Sequence, residues 1–278
     1  MSIHVIAEIG INHDGSFEVA KELITAAKAV GADSVKLQKR LPKVSVPKAM
    51  WDIQKEAPWG TVESYLAYKE QMELSPAHCA LLWKYAQEIG IPLFWSVWDI
   101  PSVDEVMCFD APFIKIPSAK ATDEFLLEWV RDNHGKARII VSTGMCTMED
   151  VVNIVEYLYD ENPVIMACTS TYPAPKEELN LRTVRTYKDR WPELDIGWSG
   201  HETGLATTVA TVAMGATFIE RHITLDRSRK GTDHAASVEP NGFRRLIDDI
   251  RAVDAAMGDG IKRVMPGERA PMLKLRGT

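Results

Sequence analysis

Residues Gly197–His201 read G-W-S-G-H, Ile219–Asp226 read I-E-R-H-I-T-L-D, and Lys230–Asp233 read K-G-T-D, with His234 next. The stretch divides into a strand ending at His201, a helix from about Gly204 to Met214, and a strand from about Thr217 to Arg221. Two parallel strands joined by one helix form the repeating unit of an α/β barrel. His201 and His222 then leave the C-terminal ends of neighbouring strands, where such barrels keep their chemistry. Two neutral imidazoles at matched strand ends can hold one divalent cation. Glu220, Asp233 and His234 add carboxylates and a third imidazole nearby. A single histidine after a strand is more often a hydrogen-bonded core or surface residue, so this stretch alone leaves both readings open.

Outward from that unit the same alternation recurs. Short β-branched runs are expected as strands at His4–Ile9, Ser34–Leu37, Pro92–Ser96, Phe113–Ile116, Arg138–Ser142, Val164–Ala167 and Asp195–Trp198. Segments of helical period lie between them. After an N-cap at Ser16, Val19, Leu23, Ala26 and Val30 fall at spacings of 4, 3 and 4, one face of a helix. With the strand of the opening stretch this makes a (β/α)8 TIM barrel over residues 1–258, with a basic tail over 259–278. The polar excursion Gln38–Leu74 is too long for an ordinary connection, and its Trp and Tyr content argues against disorder. It is expected to fold over the barrel mouth, with Trp59 and Tyr65, and Trp95 and Trp98 after the third strand, covering the site. Met214 and Met257 are expected in the core.

Composition narrows the function. The chain has 278 residues, 46% hydrophobic, with a net charge of −7. No basic run exceeds two residues, so nothing suggests a nucleic-acid partner. No apolar run approaches the roughly 18 residues that span a membrane, and the N-terminal stretch does not read as a signal peptide, so a cytoplasmic protein is expected. The four cysteines form no CxxC pair and are read as reduced, buried thiols.

The expected strand ends carry Glu8, Lys36, Ser96, Lys115 with Ser118, Ser142, Ser170 with Tyr172, Ser199 with His201, and Glu220 with His222. Lys36 and Lys115 sit inside the apolar runs V-K-L and I-K-I. A buried ammonium needs an anion, which is either a neighbouring carboxylate or the phosphate or carboxylate of a ligand. The set suits a small phosphorylated acid reacting with a carbonyl compound, with a metal as Lewis acid. A Schiff-base aldolase on either lysine is the rival chemistry, and a non-catalytic sugar-binding barrel the rival outside catalysis.

Several linked motifs then add a resemblance. I-A-E-I-G-I-N-H-D-G-S (Ile6–Ser16), K-I-P-S (Lys115–Ser118), S-T-G-M (Ser142–Met145), C-T-S-T-Y-P-A-P (Cys168–Pro175), the opening G-W-S-G-H and E-R-H-I-T-L-D, and G-T-D-H-A-A-S-V-E-P (Gly231–Pro240) occur in order. Together they resemble the sialic acid synthase (N-acetylneuraminate synthase) family along most of the chain. The resemblance implies a metal-dependent condensation of phosphoenolpyruvate with an N-acetylmannosamine-like aldose, giving a 3-deoxy-nonulosonic acid and phosphate. It implies that Lys36, Ser96, Lys115, Ser118, Ser142, Ser170 and Ser199 hold phosphoenolpyruvate. His201 and His222 would bind Mn²⁺ or Mg²⁺. Glu8, Tyr172, Glu220 and Asp233 would lie by the sugar, with Glu8 or Glu220 moving protons. A homodimer is expected on the same ground. Two departures stand out. Ser96 and Ser170 replace a usual Thr and Asn. The family's C-terminal domain, similar to type III antifreeze proteins and a source of one sugar-binding arginine, is not expected after residue 278.

Overall fold

The computed structural model describes residues 3–277. Its strands are β1 His4–Gly10, β2 Ser34–Lys39, β3 Gln54–Glu56, β4 Val62–Ser64, β5 Leu93–Val97, β6 Phe113–Ile116, β7 Arg138–Ser142, β8 Val164–Cys168, β9 Asp195–Gly200 and β10 Phe218–His222. Eight of them close a barrel in the order β1-β10-β9-β8-β7-β6-β5-β2, every pair parallel. The helices are α1 Phe17–Val30, α2 Pro42–Ser45, α3 Tyr65–Met72, α4 Pro76–Ile89, α5 Ile100–Val106 and α6 Glu124–Asn133. They continue with α7 Met148–Leu158, α8 Arg182–Arg190, α9 Ala206–Ala213, α10 Pro240–Met257 and α11 Arg269–Arg276. This is the (β/α)8 TIM barrel expected from the alternation.

Local chemistry sets the boundaries. Ser16 Oγ accepts from the Val19 N–H at the start of α1, and Gly31 ends that helix in the left-handed region. Ser75, Asp99, Asp123 and Thr147 cap α4, α5, α6 and α7 in the same way. Because strand side chains alternate between faces, each barrel strand sends one set inward and one outward. Outward residues pack under the helices in the larger core, as with Val5, Ala7, Ile9, Val35, Leu37, Ile139, Val141, Ile165 and Ala167. Inward residues Ile6, Phe94, Ile140, Val164, Met166 and Phe218 form a separate apolar plug inside the barrel. The next inward position toward the strand C-termini is polar on strand after strand: Glu8, Ser96, Ser142, Cys168 and Glu220. The plug is therefore the floor of the site and this ring is its wall.

Three expectations change here. The excursion over residues 38–74 is a folded subdomain: the β3–β4 hairpin and α3 enclose a small core of Ile11, Ala57, Tyr68 and Met72. Trp59 serves that subdomain, donating to Glu63 Oε1 at 3.0 Å and lying 6.1 Å from Tyr68. Trp95 faces outward, stacked 4.8 Å from Phe109 and beside Trp83, so it covers nothing. Met257 ends α10 half exposed rather than in the core. The stretch after it leads into α11, and its apolar residues Ile261, Val264, Leu273 and Leu275 are exposed.

Candidate active site

The polar ring encloses a cavity of about 170 Å³. Of the residues singled out from sequence, Glu8, Lys36, Ser96, Lys115, Ser118, Ser142, Ser170, Tyr172, Ser199, His201, Glu220 and His222 all line it. Asp233 lies just outside, its Oδ2 3.7 Å from His222 Nδ1.

Four charges form the centre. Lys36 Nζ is 2.9 Å from Glu8 Oε2 and 3.6 Å from Glu220 Oε1; Lys115 Nζ is 2.5 Å from the same Glu220 oxygen. The register brings them together, because Glu8 pairs with Lys36 on one side and His222 on the other, and Glu220 with Ser199. Both readings of the lysines therefore hold in part: each is ion-paired with a carboxylate, and each faces the cavity. Ser199 Oγ donates to Glu220 Oε1 at 3.1 Å, and Gln38 Nε2 to Glu8 Oε1 at 3.3 Å. The two carboxylates are driven apart. Burial pushes both up, but Lys115 and Lys36 bring Glu220 down to about 2. For Glu8 burial wins, reinforced by the Glu220 charge, and its carboxyl stays above the usual range. Glu220 is thus the more readily ionised of the two, and Glu8 the one that holds a proton more firmly.

On the far wall, Ser118, Ser170 and Cys168 surround Gly144, with Ser142 at the end of β7 also lining the cavity. The Gly144 N–H donates to Ser118 Oγ at 3.0 Å. A Cβ on Gly144 would lie 2.8 Å from Ser118 Oγ and overlap Ser170 Oγ, so only glycine leaves both hydroxyls in place. Ser142 Oγ is buried without a hydrogen-bond partner among the described residues. Hydroxyls, a backbone N–H nearby and Lys115 on the adjoining strand β6 make this wall suited to an anion.

The imidazoles fit a metal. His201 Nδ1 donates to the Thr169 carbonyl at 2.8 Å, since a carbonyl can only accept, and this leaves the Nε2 lone pair free. His222 is held neutral, its pKa pushed down to about 3 chiefly by burial, and its Nδ1 has no hydrogen-bond partner among the described residues. The two rings lie 5.3 Å apart, and Tyr172 stacks 4.1 Å from His201. Among the described residues no group of three or more His, Cys, Asp or Glu is arranged to hold a metal, so two nitrogens are what the protein offers and water or substrate would supply the rest.

Sequence reasoning missed three cavity-side residues. Gln38 follows Lys36 by one strand period, a signal lost by ending β2 at Leu37. Met145 lines the cavity from a loop, as does Trp98, which was expected at the site. Cys168, read as an inert core thiol, has Sγ 3.7 Å from His201 Nδ1 and 3.6 Å from Ser118 Oγ. Burial raises that thiol, but His201, the Ser118 hydroxyl and Lys115 together outweigh it and bring it down to about 7. His234, the third imidazole, stays out of the cavity: it bonds Thr224 Oγ1 at 2.8 Å and faces Asp14. Asn12 and His13 are structural: Asn12 donates to the Ile223 carbonyl and Ser237 Oγ, and His13 accepts from the Gly15 N–H.

Fold and site define a (β/α)8-barrel protein with two buried lysines, two carboxylates and two imidazoles at its C-terminal mouth. The chain belongs to the NeuB family, whose sequence model matches residues 23–262. It is 37% identical to mouse N-acetylneuraminate-9-phosphate synthase over 98% of this chain and 76% of that protein. It is 35% identical to Campylobacter jejuni N,N'-diacetyllegionaminic acid synthase over 95% of this chain and 80% of that one. The crystal structure of N-acetylneuraminic acid synthetase from Leptospira borgpetersenii superposes with a TM-score of 0.86 at 24% identity, over 100% of this chain and 94% of that one, which supports the fold. No helix among the described residues is long and apolar enough to cross a membrane.

Proposed function

We propose that this chain condenses phosphoenolpyruvate with an N-acetylmannosamine-like aldose to give a nonulosonic acid and inorganic phosphate. The observation that carries the reading is the buried Lys36–Glu8–Glu220–Lys115 group, flanked by the hydroxyls of Ser118, Ser142 and Ser170. Relatives named as synthases of sialic and legionaminic acids support the same class of product.

The residues divide the labour. The serine wall and the Gly144 loop take the phosphate; Lys115 and Lys36 balance the phosphate and carboxylate charges. The aldehyde lies toward Glu8. Its carbon receives the C3 electron pair of phosphoenolpyruvate, forming the new C–C bond, while Glu8 gives its proton to the aldehyde oxygen. Water adds at C2 and loses a proton to a carboxylate, now Glu8 in its ionised form. Loss of phosphate from C2 and of the remaining hydroxyl proton leaves the ketone. Glu220 stays ionised throughout and holds both lysines. His201 and His222 would hold a Mn²⁺ or Mg²⁺ ion, which when bound supplies Lewis acidity at the aldehyde oxygen. The ion pairs keep Lys36 and Lys115 occupied by carboxylates, which weighs against an imine on either.

The test is phosphate release from phosphoenolpyruvate with Mn²⁺ over a panel of aldoses, with and without EDTA. Sugar-dependent release supports the reading. Borohydride trapping of a pyruvate adduct, with no sugar-dependent release, would overturn it in favour of an aldolase.

A further inference from the structure

Met145 lines the cavity from the turn after β7, in a backbone conformation that residues other than glycine rarely adopt. Thr143, Gly144, Met145 and Cys146 form that turn, closed by the Cys146 N–H donating to the Thr143 carbonyl at 3.3 Å. Met145, its third residue, has φ 64°, in the left-handed region that favours glycine or asparagine. The glycine stands one place earlier, outside that region, where a Cβ would overlap Ser170 Oγ and crowd Ser118 Oγ.

The turn is fixed at both ends. Thr143 donates from its backbone N–H and from Oγ1 to the Met166 carbonyl, each at 3.0 Å, and the Tyr187 hydroxyl lies 3.0 Å from the same Oγ1. Just beyond, Thr147 and Asp150 close a capping box at the start of α7. A left-handed residue with a Cβ is strained, and such strain persists where the surroundings over-determine it, most often at functional sites. Packing within the chain does not offset it here, because the Met145 side chain is 71% exposed. Pro117 and Ala119, on either side of Ser118, line the same cavity, so apolar groups border the wall of hydroxyls. Hydroxyl contacts to an anion strengthen when water is shut out. An unbranched thioether is the side chain best able to fold over an irregular gap.

We propose that Met145 covers bound phosphoenolpyruvate. With the phosphate on Ser118, Ser142 and Ser170, the thioether folds down on the carbon skeleton and closes that wall to water. The proposal rests on the condensation reading and assigns the same site a substrate-covering residue. Glycine at this position would relax the turn and leave the substrate open.

The experiment sets Met145→Gly, Met145→Asn and Met145→Leu beside the wild type. It reads thermal melts, titration calorimetry of phosphoenolpyruvate with Mn²⁺ and no sugar, and product formation with the aldose panel. Glycine and asparagine both relieve the backbone, so both variants should melt higher than the wild type, by about 2 °C or more for glycine. Both should bind phosphoenolpyruvate about tenfold more weakly, the effect of losing much of a methionine side chain's burial. KM for phosphoenolpyruvate should rise by a similar factor with a smaller change in kcat. Met145→Leu keeps the strain and the apolar cover, so it should restore most of the affinity without the gain in melting temperature. A merely structural methionine would move stability and binding in the same direction. Unchanged affinity in Met145→Asn, or a lower melting temperature accompanying the weaker binding, overturns the cover and leaves the condensation standing. Binding of phosphoenolpyruvate that depends on Met145, with no product from any aldose, overturns the condensation and leaves the cover. A wild type that binds no phosphoenolpyruvate overturns both.

Discussion

Lys69 is buried between the rings of Tyr65 and Tyr68 with no ion pair among the described residues, so its ammonium carries an electrostatic cost that a neutral side chain removes. Lys69→Met keeps the unbranched stem of similar length and deletes the charge. The fall of the Lys69 pKa from 10.5 to about 8 corresponds to about 3 kcal/mol against the folded state at pH 7. Losing the two aromatic contacts gives back about 1 kcal/mol. The variant should therefore be more stable than the wild type by about 2 kcal/mol, raising the melting temperature by roughly 4 °C or more. The sign with pH follows from linkage. A group whose folded pKa is depressed has lost its contribution below that pKa and regains it fully above its unfolded value. The wild type should thus recover as pH rises from about 8 to 10.5, and the advantage of the variant should shrink over that window. Paired thermal melts at pH 7 and pH 10 measure the difference, in which other titrating groups cancel. A variant less stable than wild type at pH 7 refutes the argument, because it would mean that the ammonium already has its partner.

Glu8→Gln mimics the neutral form that burial favours, so it should fold normally. Its kcat should fall about 10²- to 10⁴-fold, the range for a lost general acid, and the alkaline limb of the kcat profile, set by loss of the Glu8 proton, should disappear; an unchanged limb would assign the acid elsewhere. Gly144→Ala should displace Ser170 and raise KM for phosphoenolpyruvate about tenfold or more with a smaller change in kcat, and an unchanged KM would remove that wall from the phosphate site. Dialysis against EDTA should abolish turnover and Mn²⁺ restore it. His201→Ala and His222→Ala should each fail to retain the ion by metal analysis while keeping the circular dichroism of the barrel.

The fold was legible because a parallel barrel is a repeated local pattern: apolar β-branched runs, capped helices and glycine or asparagine stops. The site was legible for the same reason. A polar residue one strand period beyond an apolar inward position must lie on the mouth side of the plug, and Glu8, Ser96, Lys115, Ser142 and Glu220 all meet that test. What escaped depends on partners distant in sequence. Nothing local distinguishes Trp95, packed outward on Phe109, from Trp98, which lines the cavity. Cys168 and Lys69 acquire their meaning from His201 and from two tyrosines on α3. The excursion's internal fold was not legible because its core, Tyr68 and Met72 with Ile11, is assembled across the loop after β1.

The pairing of the lysines with carboxylates also explains how a buried cationic site survives empty. Two ammonium groups side by side in a barrel would repel strongly at low dielectric. Glu8 and Glu220 offset them, yet unequally: Glu220 touches both lysines, whereas Glu8 touches one and holds its proton more firmly than an ordinary glutamate. When an anionic substrate reaches Lys36 and Lys115, its charge further disfavours ionisation of Glu8. Binding then raises the proton occupancy of the group required to be an acid. The site arms its acid by binding its anion, so kcat should tolerate higher pH than the free-enzyme profile in kcat/KM.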